Sequence, residues 1–312
     1  MKKTRKKLEF LRNIQDVYEK DYKKLLIIPF VILILAFVQI GYQLATTVDF
    51  INKGVSLKGG ITLSVQSDKA VSIDELREAV SGSFPAVDFN IRTITSTGVR
   101  AGTIIEADVD VNDQETIDGL IAVVESVYGI PLSEENLNVE AVGSVIGDQF
   151  FSDTIKAVLL AFLFMAIVVF FYFRILVPSG AVILAAFSNM VVTIAVVNML
   201  DVSISTAGIA AFLMMIGYSV DTDILLSVRV LKKKEGTVVE RVYNAMKTGL
   251  TMQITTMIVI TIALIVTTSA VIGQIMLILL IGLIVDVINT WIQNAGIIRW
   301  YLEARDARKS RG

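Results

Sequence analysis

Residues 271–297 read VIGQIMLILLIGLIVDVINTWIQNAGI, an apolar run whose one charge is Asp286. A helix of about 20 apolar residues, rising ~1.5 Å per residue, crosses the hydrocarbon core of a bilayer. The run therefore reads as a membrane span, and it sets the class of the whole chain. Five more stretches of the same kind lie at Leu25–Leu44, Thr154–Phe173, Val177–Val197, Ile204–Val228 and Thr248–Thr268. Composition agrees: of 312 residues, 54% are hydrophobic and 19% charged, and mean hydropathy is +0.69, whereas a soluble domain is roughly a quarter charged. Leu25–Leu44 is too long for a signal peptide, lacks a small-residue cleavage site and follows two dozen polar residues, so it is expected to remain as an anchor. The expectation is an α-helical membrane protein with six transmembrane helices.

The basic residues fix an expected orientation, because cytoplasmic loops are enriched in Lys and Arg. Lys2, Lys3, Arg5, Lys6, Lys7, Arg12, Lys20, Lys23 and Lys24 precede the first span. Lys232, Lys233, Lys234 and Arg241 lie between spans four and five, and Arg299, Arg305, Arg308, Lys309 and Arg311 follow span six. Six alternating spans put all three groups, and both termini, in the cytoplasm. Ala45–Phe151 then lies outside, and it carries 17 acidic against 6 basic side chains, a net of −11. The layout is a basic segment 1–24, a first span 25–44, an extracytoplasmic domain 45–151, a five-helix bundle 152–298 and a basic tail 299–312.

Within the outer segment the hydrophobic period switches between two and 3.6. Val55–Val65 alternates as a strand interrupted by Gly59 and Gly60, and Ser72 with Glu75 reads as a capping box opening a helix to about Ser83. Phe89–Thr95 and Gly102–Val111 alternate around the hairpin turn Ser96-Thr97-Gly98. Gln114–Tyr128 is amphipathic and stops at Gly129, and Leu137–Val142 is a last strand. The order βαββαβ is that of a small α+β ferredoxin-like domain. Its acidic residues are scattered over turns and helix faces, which suits contact with another protein better than chemistry.

Charged side chains inside spans cost at least ~2.5 kcal/mol each on insertion scales, which marks them as functional candidates. Three carboxylates qualify: Asp221 and Asp223 in span four and Asp286 in span six. Asp221 shares a helix face with Gly217, Met214, Ala210 and Ala207, small residues that let another helix approach. Asp223 lies on a different face, with Ser219 and Ser227. Span six carries the stripe Gly282, Asp286, Asn289, Gln293 and Gly296, and span five carries Lys247, then Thr248, Thr251 and Thr255. The expectation is a shared polar interior containing Asp221 and Asp286, with Asp221 the preferred proton carrier. The alternative is that these groups stitch helices together by hydrogen bonds, the reading favoured for Asn189, Asn198 and the threonines. Arg229 and the lysines after it read as interfacial anchors. With no Cys and no His, thiolate chemistry and the usual zinc ligands are missing, and no metal, cofactor or nucleic-acid partner is expected.

Three stretches resemble the SecF family of the protein-export machinery, within the resistance-nodulation-division superfamily. Gly54-Val55-Ser56-Leu57-Lys58-Gly59-Gly60 is similar to that family's glycine-pair motif. Gly217-Tyr218-Ser219-Val220-Asp221-Thr222-Asp223, followed by Arg229, resembles its span-four signature. Lys247-Thr248-Gly249, Thr255-Thr256, Gly282 to Asp286 and Thr290-Trp291 are similar to archaeal members. Bacterial members carry Asn then Asp where Asp221 and Thr222 stand, an acidic residue where Val228 stands, and an arginine near Lys247; Asp221 lines up instead with the carboxylate of the partner subunit SecD. The resemblance is thus to an archaeal-type SecF.

The resemblance implies a multi-pass protein of the cell membrane that pairs with SecD, associates with the Sec translocon and promotes export of secreted polypeptides. It also implies coupling to the proton gradient through Asp221, Asp286 or Asp223, with Gly217, Tyr218, Ser219, Arg229, Lys247, Thr251, Thr255 and Asn289 in support. It implies no catalysis, and the sequence carries no phosphate-binding loop, nucleophile triad or metal cluster. Two alternatives stand beside it: a subunit of a proton-driven small-molecule or lipid exporter of the same superfamily, and a non-transporting assembly factor for a membrane channel.

Overall fold

A computed structural model of the chain describes residues 18, 21–47, 49–67, 69, 71–96, 99–133, 136–232, 236–267 and 269–309. The basic residues expected before position 18, together with Lys20, Lys233, Lys234 and Arg311, lie outside the described residues, as do Thr97 and Gly98 of the hairpin turn. Among the described residues, six helices are long and apolar enough to cross a membrane. Span one is Ile27–Thr47, span two Ser144–Phe173, span three Leu176–Met199, span four Thr206–Lys232 and span five Val238–Val266. Span six opens as Ala270–Ile288, passes through a π-helical turn at Asn289–Asn294 and continues as Ala295–Lys309.

Spans three, four and six form the centre, and spans one, two and five flank them. Val191, Val192 and Ala195 of span three, Ala211 and Met215 of span four, and Ile278 and Leu283 of span six are buried together. Small residues permit the close approach. A Cβ on Gly296 would lie 2.7 Å from Leu26, and one on Gly282 would collide with Met215. Span two starts ten residues before the apolar run, because Ser144–Asp153, a mixed polar and apolar stretch that is mostly exposed, belongs to the same helix. Span five is likewise longer than its apolar run; a capping box formed by Thr237 and Glu240 starts it.

Between spans one and two, strands β1 (Gly60–Gln66), β2 (Phe89–Ser96), β3 (Val99–Ala107) and β4 (Leu137–Val142) form one antiparallel sheet in the order β2-β3-β1-β4. Helices α1 (Ile73–Ser83) and α2 (Gln114–Tyr128) share one core with the sheet. Ile61, Leu63 and Val65, every second residue of β1, are fully buried in it with Leu76, Leu120 and Val124. Within that core Tyr128 donates to Thr103 Oγ1 at 2.7 Å. Asp113 caps α2 by accepting from Thr116 N at 3.1 Å and Oγ1 at 2.6 Å. Those bonds hold the Asp113 carboxyl below its ordinary pKa.

Three local expectations are corrected. Val55–Lys58 is one helical turn rather than strand, and the strand begins at Gly60. Gly59 and Gly60 have φ of +89° and +112°, a region that side chains with a Cβ rarely enter. A Cβ on Gly59 would lie 2.5 Å from Ser144 Cα, and one on Gly147 would lie 2.6 Å from Gly59 N, so the pair turns the chain against the start of span two. Ser72 is the N-cap of α1, but its side chain accepts no hydrogen bond, and the expected capping box is not formed. The third strand starts at Val99 and ends at Ala107, where the chain turns so that Asp113 N reaches Asp110 O. Gly102 lies inside it, where a Cβ would strike Val65 O of β1.

The domain is tied to the bundle by the loop between spans three and four. Ile204 N donates to Asn52 O at 2.6 Å, and Gly54 N donates to Ile204 O at 2.9 Å. Thr206 N donates to Ser56 Oγ at 3.0 Å, and Asn90 of β2 donates to Ser203 Oγ at 2.8 Å. Gln274 of span six donates to Ser203 O and accepts from Ser205 Oγ. The loop that begins span four is thereby held to both the sheet and span six.

Candidate functional site

Asp286 sits at the middle of a buried polar network. Its Oδ1 accepts from Ser219 Oγ of span four and from Asn189 Nδ2 of span three at 3.4 Å, and its Oδ2 accepts from Gln253 Nε2 of span five at 2.7 Å. Four spans thus meet at one carboxylate, which is 1% exposed. Gln253 is held in turn: its Oε1 accepts from Trp291 Nε1 at 2.7 Å. An amide whose oxygen is engaged by an N–H must turn its NH2 to the other side. Trp291 therefore orients the donor that Asp286 receives.

Asp223 is the second buried carboxylate, fully enclosed. Its Oδ1 accepts from Asn294 Nδ2 at 2.8 Å, and its Oδ2 has no hydrogen-bond partner. The Asp223 and Asp286 carboxyls are near enough to interact electrostatically, and the Thr290 hydroxyl faces both without forming a hydrogen bond of ordinary geometry. No ion pair involving either aspartate occurs among the described residues. Ser227 Oγ, Gln293 Oε1 and Asn294 Oδ1 are also buried without partners, while Gln293 Nε2 donates to Ser188 Oγ at 3.1 Å. The site is rich in oxygen acceptors and holds no Lys or Arg among its described contacts.

The π-helical turn shapes this arrangement. It inserts about one residue into the helical repeat, which advances every later side chain around the axis. Asn289, Thr290, Gln293 and Asn294 are all buried, and the inclusion of Asn294 makes a wider polar face than the single stripe Asp286, Asn289, Gln293.

The expected pairing of Asp221 with Asp286 is corrected. Asp221 faces out of the chain, as do Ala210, Met214, Gly217 and Tyr218 on its side of span four. Ser219 and Asp223, on the opposite face, join Asp286 instead. The threonine line of span five is corrected as well: Thr251 and Thr255 are exposed, and each hydroxyl donates to the carbonyl four residues earlier, at 2.7 Å and 2.8 Å. Lys247 is exposed on the same helix. Arg229 Nη1 bridges spans four and five, donating to Asn244 O at 2.9 Å and Thr248 Oγ1 at 2.8 Å. Asn289 is buried beside the network with its Nδ2 unpartnered. Gln253 and Asn294 were not singled out from the sequence. Each is an amide inside an apolar span, and that is the available signal.

A family model described as "Protein export membrane protein SecD/SecF, C-terminal" matches residues 123–304. The protein-export membrane protein SecF of Methanocaldococcus jannaschii is 36% identical over 295 residues, covering 93% of this chain and 99% of the relative. That of Pyrococcus furiosus is 36% identical over 293 residues, covering 93% and 95%. Among solved structures, SecDF from Thermus thermophilus, a translocon-associated membrane protein, superposes with a TM-score of 0.68 at 19% identity. The superposition covers 90% of this chain and 38% of that longer one, and at this identity it speaks for the fold alone. On the extent of the family match and of the SecF relatives, the chain belongs to the SecF family of protein-export membrane proteins.

Proposed function

We propose that the chain is the SecF half of a protein-export complex, pairs with a SecD-type half beside the Sec translocon, and uses the proton gradient through Asp286 and Asp223. The observation that carries the reading is the Asp286–Asp223 pair, buried across spans six and four with amides and hydroxyls as its ligands. A structural stitch needs no carboxylate, since Asn or Ser would serve at lower cost in a membrane. Two neighbouring carboxylates without a cation repel when both are charged, and a proton held between them removes that cost. The partnerless acceptors around Asp223 are what a proton on water would meet inside the bundle. One charge crossing 100 mV releases ~2.3 kcal/mol, enough to bias a packing change of a few kcal/mol. Span four carries Ser219 and Asp223 at one face, and the loop that begins it carries Ser203 and Ile204 against the domain. A shift of that helix on protonation is thus linked to the domain.

The βαββαβ order and the sheet order β2-β3-β1-β4 support reading the domain as ferredoxin-like. The end of the bundle that gathers Lys23, Lys24, Lys232, Arg241, Arg299 and Arg305 is read as cytoplasmic. The domain would then stand outside, where an exported chain emerges. The test is translocation into vesicles containing the translocon and the SecD–SecF pair, with and without an imposed proton gradient. Gradient stimulation is expected with the pair and lost when this chain is omitted. Stimulation that persists without the chain would reject the reading.

Asp221 supports the partner. A carboxylate on the outer face of span four is too costly to leave against lipid, whereas a second protein half could cover it with hydrogen-bond donors. The face beside it is open, since a Cβ on Gly217 would meet nothing within 4 Å. Gly217→Trp is therefore expected to leave the chain's own thermal stability nearly unchanged while reducing co-purification of SecD at least fivefold, about 1 kcal/mol of lost association. Unchanged co-purification would show that the partner docks elsewhere.

A further inference from the structure

Where span four ends and span five begins, a cleft of about 640 Å³ opens at the edge of the bundle. Arg229, Arg241 and Lys247 line it, and no carboxylate does among the described residues. Its cations are partly preorganised. Arg229 is fixed by the Asn244 carbonyl and the Thr248 hydroxyl, neutral oxygens that orient the guanidinium without cancelling its charge. Arg241 Nη1 donates to the Val230 carbonyl at 2.7 Å, which sets it across the gap between the two helices. Lys247 stands exposed at the cleft. Further along span five the surface turns apolar: Met252, which also lines the cleft, is 41% exposed, and Ile254 and Ile258 follow.

Such a profile has two ends. Several cations gathered at the membrane boundary hold a phosphate, and the exposed apolar helix beyond them suits an acyl chain. A water-soluble anion would use the cations and gain nothing from the apolar flank. We infer that the cleft between spans four and five binds the phosphate of an anionic lipid head group. The inference does not depend on proton coupling, since none of the carboxylates of that site lines the cleft.

The experiment is native mass spectrometry of the full-length chain in detergent micelles, titrated with dioleoylphosphatidylglycerol, dioleoylphosphatidylcholine or inorganic phosphate. The chain is expected to retain phosphatidylglycerol in preference to phosphatidylcholine. Lys247→Gln is expected to weaken that retention about fivefold, the effect of one interfacial cation. Arg229→Gln also removes a helix bridge, so Lys247, which makes no such bridge, is the deciding position. Lys232→Gln serves as the control: Lys232 lies at the same end of the bundle, outside the cleft, over the Tyr172 ring at 4.4 Å, and its loss is expected to leave retention unchanged. Equal retention in wild type and Lys247→Gln overturns the inference. Displacement of the lipid by millimolar phosphate overturns it in favour of a free anion. Loss of the retained lipid on adding SecD overturns it in favour of an acidic partner segment.

Discussion

Asp286→Asn is expected to abolish the gradient-dependent part of translocation while leaving the chain folded and able to pair with SecD. The substitution keeps the size of the side chain and can keep its two strongest bonds. The remaining oxygen accepts from Gln253, whose NH2 is fixed in place by Trp291. The introduced amide N–H can donate to Ser219, because a hydroxyl accepts as readily as it donates. What is lost is the ability to take up and release a proton. Thermal unfolding of the variant should therefore stay within a few degrees of wild type. Its translocation rate in vesicles should be the same with and without an imposed gradient. A gradient response equal to wild type would place the coupling proton elsewhere and refute the role assigned to the pair. Asp221→Asn, on the outer face, should instead act through the partner and weaken SecD association.

A second large effect is expected at Gly249. Alanine is favoured over glycine inside a helix by roughly 1 kcal/mol, so Gly249→Ala would stabilise an unobstructed span. Here a Cβ would press on the six-membered ring of Trp291, lying 2.6 Å from Cη2. The ring has little room to yield: it is 3% exposed, packed with Val242, Ala245, Ala295 and Ile298, and bonded to Gln253. Overpacking of this kind costs about 1–3 kcal/mol. Displacing the indole also leaves the Gln253 oxygen unpaired, a further ~1–3 kcal/mol. Gly249→Ala should consequently lower the unfolding temperature and impair gradient-driven translocation together. Trp291→Phe shortens the ring at the point of collision, so the double variant should be more stable than the two single costs predict. A thermal-melt double-mutant cycle reads that coupling, and strictly additive costs would show that the two residues do not meet.

The sequence by itself determined the spans and the element order of the domain between spans one and two. Both signals are local: apolar length for Val177–Val197 and its neighbours, and a clean period with a stop at Gly129 for Gln114–Tyr128. Local signals failed where a second segment intervened. Val55–Lys58 alternates like a strand, yet it coils because Gly59 must turn the chain past Ser144. Span two looks ten residues shorter than it is, since hydropathy marks the membrane and not the helix. The tertiary structure alone decided which carboxylates meet. Asp221 and Asp223 lie about 200° apart on one helix, and nothing within span four says which face turns inward. Spans three, five and six decide it by presenting Asn189, Gln253 and Asp286 to the Asp223 side. Gln253 gained its place only through Trp291, 38 positions away in sequence. Thr290 already lies on the Asp286 face of a regular helix, whereas the π-helical turn brought Asn294 into the same interior by changing the helical phase. A stripe drawn at constant 3.6 residues per turn cannot anticipate that change, because the turn is held in place by packing against the neighbouring spans.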